Sequence, residues 1–158
     1  IYMFNEPAIW AQDSQITADS INIEVVENQI DKMNLSQNSF VISKDTLGNF
    51  NQVRGRNMEV YFEDGFISKT NVNGNGESIY YIYEATGALS MNKTKCSNMA
   101  IYFRQNSVEE IRTYTEVDGQ IKPELEIAPI DTKLRGFEWM EAARPKLRQV
   151  ARHLRYDR

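Results

Sequence analysis

Apolar and polar residues alternate with a period of two in three separate stretches of the chain, and the stretches are regularly spaced. In the first stretch Ile21, Ile23 and Val25 alternate with polar neighbours. This pattern is typical of a strand with one buried face. It returns 37 residues later, and again after a further 41, at Met58, Val60 and Phe62 and at Met99, Ile101 and Phe103. A repeat of this length indicates stacked structural units, because one unit cannot bury its own apolar face.

Turn-forming pairs follow each of these strands. Asp64-Gly65 is the clearest, since both residues tolerate positive φ and an Asp-Gly pair between alternating runs is a strong hairpin signal. A second strand is predicted after each pair, at residues 30–35, 67–72 and 108–113. The repeat therefore predicts hairpins with turns at Glu27-Asn28, Asp64-Gly65 and Gln105-Asn106.

The alternation slips by one residue before each strand. Ile16 and Ala18 are in phase with each other, whereas Ile21 and Ile23 are one residue off, and the second copy shows the same slip. A slip moves side chains to the opposite face unless a bulge or bend intervenes. Its recurrence predicts a corner at which each strand folds from one sheet to another. Three equivalent positions next to this corner are expected to hold small buried residues: Ala18, Gly55 and Cys96.

The end of the chain has a different pattern. Loops containing Gly48 and Gly87 separate the copies, and the four-residue difference in period is expected in the second loop. Residues 137–154 carry apolar residues at helical spacing, with Pro145 either at a first turn or dividing two short helices. We therefore predict a β repeat domain over residues 1–132 and a basic helical segment or linker over residues 133–158.

Composition supports an all-β chain and excludes some functions. Val, Ile, Tyr, Phe and Thr are plentiful and Ala is scarce. The net charge is −4, but residues 133–158 carry eight Lys/Arg and three Asp/Glu, so the rest sums to −9. This distribution argues against a uniformly basic nucleic-acid binder. No apolar stretch approaches the roughly 20 residues that span a bilayer.

The sequence offers little support for catalysis. His153 is the only histidine, so neither a zinc cluster nor a Ser-His-Asp triad is expected. The acidic pairs Glu63-Asp64 and Glu109-Glu110 are adjacent in sequence and are expected to be solvated. We therefore predict that the protein is not an enzyme and has no catalytic residues, no metal and no cofactor.

Several segments resemble the OstA-like (LptA) family of periplasmic lipopolysaccharide-transport proteins. They are residues 15–21, residues 73–80 and the motif Asn-Met-x-Val/Ile-Tyr-Phe, which occurs at 57–62 and 98–103. Residues 134–139 are similar to the end of this domain in its Bacteroidetes version. The resemblance covers roughly residues 5–145, and its motifs are structural repeats that specify fold better than chemistry.

The resemblance implies a β-jellyroll or "β-taco", in which two antiparallel sheets fold into a V around an apolar interior. It further implies an exported, periplasmic, non-enzymatic bridge module in outer-membrane assembly. The partners would be lipid A, whose acyl chains lie between the sheets, and other jellyrolls that pair head-to-tail through edge strands. The residues expected to line the interior are Ile21, Ile23, Ile30, Met33, Leu35, Met58, Val60, Phe62, Ile67, Val72, Met99, Ile101, Phe103, Val108 and Ile111.

Two alternatives remain open from the sequence. An open lipid groove and a filled sandwich have the same periodicity, so the chain could instead be a closed β-solenoid that binds polysaccharide or acts as a scaffold. Tyr80, Tyr81 and Tyr83 are candidates for a sugar-binding strand, although such residues more often form cross-strand pairs.

Candidates for a cationic rim that contacts lipid phosphates are Arg54, Arg56 and Lys69.

Overall fold

A computed structural model describes residues 1–104 and 107–144. In these residues ten strands form a single antiparallel sheet. They are β1 (Tyr2–Phe4), β2 (Ala8–Ala11), β3 (Ser14–Thr17), β4 (Ser20–Val26), β5 (Gln29–Lys44), β6 (Phe50–Glu63), β7 (Phe66–Tyr83), β8 (Leu89–Arg104), β9 (Ser107–Tyr114) and β10 (Asp118–Pro123). Three short 3₁₀ turns follow, at Glu124–Glu126, Pro129–Thr132 and Glu141–Ala143.

The sheet is folded over on itself along a line that crosses every long strand. Strands β5 to β8 have 14 to 18 residues, and their pairing is interrupted in the middle. We call the two halves the first wall (β1, β4, β9 and the adjoining halves of β5–β8) and the second wall (β2, β3, β10 and the other halves). The all-β prediction is confirmed, and a folded antiparallel sheet is compatible with a β-jellyroll or β-taco.

Left-handed backbone forms the corner between the walls. Alternate strands carry two consecutive residues with positive φ at the fold: Asn5-Glu6, Gln37-Asn38, Gly74-Asn75 and Thr115-Glu116. Such residues interrupt the pleat and let the strand change direction. The corner predicted from the slip in alternation is therefore present in the structure, and it recurs with the repeat.

Equivalent asparagines satisfy backbone amides at this corner. The Gln37 N–H donates to Asn57 Oδ1 at 3.0 Å, and the Gly74 N–H donates to Asn98 Oδ1 at 3.0 Å. Asn57 and Asn98 are the first residues of the two Asn-Met motifs. Because an amide without a partner costs free energy, this part of the motif has a structural role.

Asn98→Ala is expected to lower the free energy of unfolding by about 0.5–1 kcal/mol, because the exposed Gly74 amide exchanges its side-chain acceptor for water. Urea unfolding followed by circular dichroism measures the change. Asn73→Ala is the matched control, since Asn73 is exposed and lies opposite Asn98 on the neighbouring strand. Equal effects of the two substitutions would contradict the assignment.

The hairpin turns follow the sequence prediction where they are described. Glu27-Asn28 and Asp64-Gly65 have positive φ at both residues, as a two-residue type I′ turn requires. The third predicted turn, Gln105-Asn106, lies outside the described residues. After each turn the register shifts by one residue, which leaves a single extra residue in the second strand at Asp31, Ser68 and Glu109.

The longer spacing between the second and third copies is not in the loop, so that prediction is wrong. Residues 45–49 and 84–88 form five-residue connections closed by the same backbone hydrogen bonds. The four additional residues instead extend the second-wall halves of β7 and β8 by two residues each. Antiparallel partners have to lengthen together, since an extra residue in one strand alone would leave backbone groups without partners.

Residues 132–140, here called the strap, cover the outer face of the second wall. Leu134 is buried there with Phe40, Ile42, Ile79 and Met91, and the strap residues Phe137 and Trp139 pack at the margin of this cluster. The helix predicted from residue 137 is not formed over 137–140, and only Glu141–Ala143 make a 3₁₀ turn. Phe137 and Trp139 pack against the second wall instead of lying on one face of a helix. Residues 145–154 of the predicted helix lie outside the described part.

Candidate functional site

The inner faces of the two walls form one apolar cluster. It contains every residue predicted to line the interior except Ile30, together with second-wall residues such as Ile16, Val41 and Val53. Cys96 is buried at the corner as predicted, and burial raises the pKa of its thiol. The sequence pattern therefore identified the inner face of the first wall.

The interior is filled near the corner and at mid-depth. Met33, Val60 and Ile101 are 0% exposed, which requires contact with the opposite wall. Phe62, Phe103 and Val108 are only partly buried and lie near the hairpin turns. The walls thus touch over most of their depth and separate toward the side opposite the corner, here called the mouth.

A pocket of about 460 Å³ opens at the mouth between the free ends of the two walls. Its apolar side chains include Ala11 from the second wall and Ile30, Met33 and Phe62 from the first. The bulge at Asp31 allows Ile30 and Met33, three residues apart, to face the same side. Ile30 is 40% exposed because it lies at this opening rather than within the cluster.

A second depression is less suited to an apolar ligand. It measures about 540 Å³, lies at the N-terminal corner and is lined by Phe4, Asn5, Glu6 and Asp19. Two carboxylates in four lining residues disfavour burial of hydrocarbon there. We therefore take the mouth pocket as the candidate site.

The three residues predicted as a cationic rim are not brought together. Arg54 lies on the outer face of the second wall, 4.0 Å from the carboxylate of Glu77, and Arg56 lies beside Gly74 at the corner. Lys69 is on the outer face of the first wall. None of them lines the mouth pocket, where Asp64 is the charged residue.

A polar ladder on the outer face of the first wall was missed by the sequence analysis. Lys32, Tyr61, Lys69, Tyr102 and Glu110 are successive cross-strand neighbours on β5 to β9. The Lys69 ammonium lies 5.8 and 5.2 Å from the centres of the two tyrosine rings. The sequence pattern could have revealed this ladder. Its residues occupy strand positions next to the predicted inner residues, and adjacent residues of a strand face opposite sides.

An ion pair anchors this ladder. Lys32 Nζ lies 2.7 Å from Glu59 Oε1, and the Asn71 amide donates to the other carboxylate oxygen at 3.4 Å. The hydrogen bond from Lys32 lowers the pKa of Glu59, and the same bond raises the pKa of Lys32. Both groups are partly exposed, so the pair orders side chains more than it stabilises the fold.

The tyrosines of β7 do not share one face. Tyr80 is buried in the inner cluster, and burial raises the pKa of its phenol. Tyr81 packs against the cluster under the strap, whereas the Tyr83 hydroxyl donates to Asp45 at the connection to β6. A continuous sugar-binding surface from these three residues is therefore not formed.

The acidic side chains of the described residues do not converge on a metal site. Within residues 1–104 and 107–144 no group of three or more His, Cys, Asp or Glu could hold a metal ion. Glu109 and Glu110 pair separately, with Arg104 and Arg112 respectively. His153 lies outside the described residues. In the same part of the chain no helix is long and apolar enough to cross a membrane.

No family model, curated protein or solved structure matches this chain. The likeness to the OstA-like family therefore depends on the sequence segments alone.

Proposed function

We propose that this protein binds the acyl chains of a lipid between its two walls and carries lipopolysaccharide across the periplasm without catalysing a reaction. The observation that supports the proposal is the apolar mouth pocket, which continues inward into an apolar inner face. Removing hydrocarbon from water contributes about 0.8 kcal/mol per methylene. A pocket of several hundred Å³ with apolar lining is of the size that holds small ligands.

The inner face can adapt to a chain that enters from the mouth. Met33, Met58 and Met99 all belong to the inner face of the first wall, where Met58 and Met99 flank Val72, and methionine side chains repack around ligands of varied shape. Because the interior is filled at mid-depth, binding requires the walls to separate. The corner would act as the hinge, and the saccharide of the lipid would remain in solvent.

The two ends of the folded sheet offer edges for assembly. Strands β1 and β2 form one end, and β9 and β10 form the other. Tyr2, Phe4 and Ile121 on these edge strands are more than 60% exposed. Unpaired strand edges with exposed apolar side chains suit pairing with another sheet, so we propose head-to-tail pairing with similar domains or with itself.

Photocrosslinking at neighbouring positions of β6 tests the lipid site. A benzoylphenylalanine at Phe62 lies on the inner side of the mouth, whereas the same residue at Tyr61 lies on the outer face. In cells that contain labelled lipopolysaccharide we expect adducts at Phe62 at least ten times more abundant than at Tyr61. Both substitutions exchange one aromatic ring for another, so each variant serves as the other's folding control.

The same two variants also test a second candidate function, polysaccharide binding. The filled middle of the interior and the polar ladder outside it favour a polysaccharide-binding module as the alternative. Adducts with polysaccharide at Tyr61, and none with lipid at Phe62, would support that alternative and refute lipid carriage.

A further inference from the structure

Two hydroxyl groups in the apolar interior have no hydrogen-bond partner. Thr70 and Ser78 are both 0% exposed, and neither Oγ1 of Thr70 nor Oγ of Ser78 is bonded within the described residues. Buried polar groups in native proteins are almost always paired, so each exception requires an explanation. Valine or alanine at these positions would fill the same space at lower cost.

The two hydroxyls belong to opposite walls at the same depth. Thr70 pairs across the first wall with Val60 and Ile101, which are inner-face residues. Ser78 pairs across the second wall with Val53, also an inner-face residue. Each lies four residues from Gly74, where β7 turns the corner, so the fold places them on facing sides of the interior.

A third hydroxyl nearby differs from these two in having a partner. Thr94 is the cross-strand neighbour of Ser78 on β8, and its hydroxyl donates to Asn92 Oδ1 at 2.7 Å. The interior thus contains three hydroxyl groups on β7 and β8, and none of them belongs to a residue that lines the mouth pocket. Only the groups on β7 are left without partners.

We infer that Thr70 and Ser78 bind an oxygen carried by the acyl chain of the ligand, so that the site selects hydroxylated or ester-substituted chains over plain hydrocarbon. This inference depends on the proposed lipid-binding function. When a chain separates the walls, its hydroxyl or ester oxygen pairs with the two hydroxyls. A plain chain leaves them unpaired in an apolar surrounding, which weakens its binding.

The test compares hexadecanoate with its β-hydroxy, mid-chain hydroxy and ω-hydroxy derivatives, each measured by displacement of a fluorescent fatty acid from the whole protein. We expect at least one hydroxylated chain to bind the wild type about tenfold more tightly than hexadecanoate, the change expected from one additional hydrogen bond. In Thr70→Val and Ser78→Ala this preference should disappear, while both variants unfold at a higher urea concentration than the wild type.

Thr94→Val is the matched control on the same inner face. It removes a hydroxyl that already has a partner, so it should lower stability and leave the preference for hydroxylated chains intact. Equal binding of all chains by the wild type, or a preference that survives in both β7 variants, overturns the inference and indicates hydroxyls paired with water only. If no fatty acid binds the wild type, the proposed function itself fails.

Discussion

Gly55→Ala is expected to lower the free energy of unfolding by about 3 kcal/mol, at the upper end of the usual cost of overpacking. A Cβ at this position would overlap Cγ1 of Val72 and lie 3.1 Å from the Gly74 carbonyl oxygen. Neither neighbour can withdraw easily, since Val72 is 0% exposed and Gly74 is part of the corner. Urea unfolding monitored by circular dichroism measures the loss.

Two further variants show whether the cause is the contact with Val72. Gly119→Ala adds the same methyl group on edge strand β10, where the nearest atom would be 3.7 Å away, and should leave stability almost unchanged. In the double variant Gly55→Ala/Val72→Ala the two losses should be less than additive, because the smaller side chain makes room. If the two losses of stability are fully additive, the methyl group at residue 55 does not destabilise the protein through its contact with Val72.

Gln52→Leu is expected to lower the free energy of unfolding by about 3 kcal/mol, because it leaves one buried and one partly buried backbone group of the strap without partners. The Gln52 amide donates to the Thr132 carbonyl oxygen at 2.8 Å, and its carbonyl oxygen accepts from the Leu134 N–H at 2.8 Å. Limited proteolysis should also cut within residues 132–140 faster than in the wild type. Urea unfolding and the rate of cleavage are the two measurements.

Gln15 and Gln120 provide comparisons of the same residue type. Gln15 lies at the equivalent repeat position and pairs in the same way with the Glu138 carbonyl oxygen and the Met140 N–H, both at 2.8 Å. Gln15→Leu should therefore release the strap near Trp139 with a smaller loss of stability, since these groups are only partly buried. Gln120 is exposed on β10, and Gln120→Leu should change neither measurement. Unchanged cleavage in Gln52→Leu would refute the role of Gln52 in holding the strap.

The hairpins and the corner could be predicted from the sequence because both depend on local chemistry. Asp64-Gly65 favours a type I′ turn in any antiparallel context, and the phase slip near Gly55 follows directly from the order of apolar residues. The residues predicted to line the interior, apart from Ile30, lie in one apolar cluster. That the face binds lipid remains a proposal.

The strap and the arrangement of the cations could not be predicted in this way. Phe137 and Trp139 also fit a helical pattern, but in the fold they pack against Phe50, and Trp139 packs against Trp10 as well. Arg54 and Lys69 are close to predicted corners and turns in sequence, yet they lie on the outer faces of different walls. Their separation depends on the direction in which the whole sheet folds.

The repeated strands, the turns between them and the inner face of the first wall are encoded locally, because alternation and turn propensity act over a few neighbouring residues. The tertiary structure alone decided how far the walls close, since that depends on side chains of both walls meeting across the interior. It also decided that the pocket opens at the mouth and that Thr70 and Ser78 face the interior without partners. These features arise from contacts between residues far apart in the chain, which no local pattern encodes.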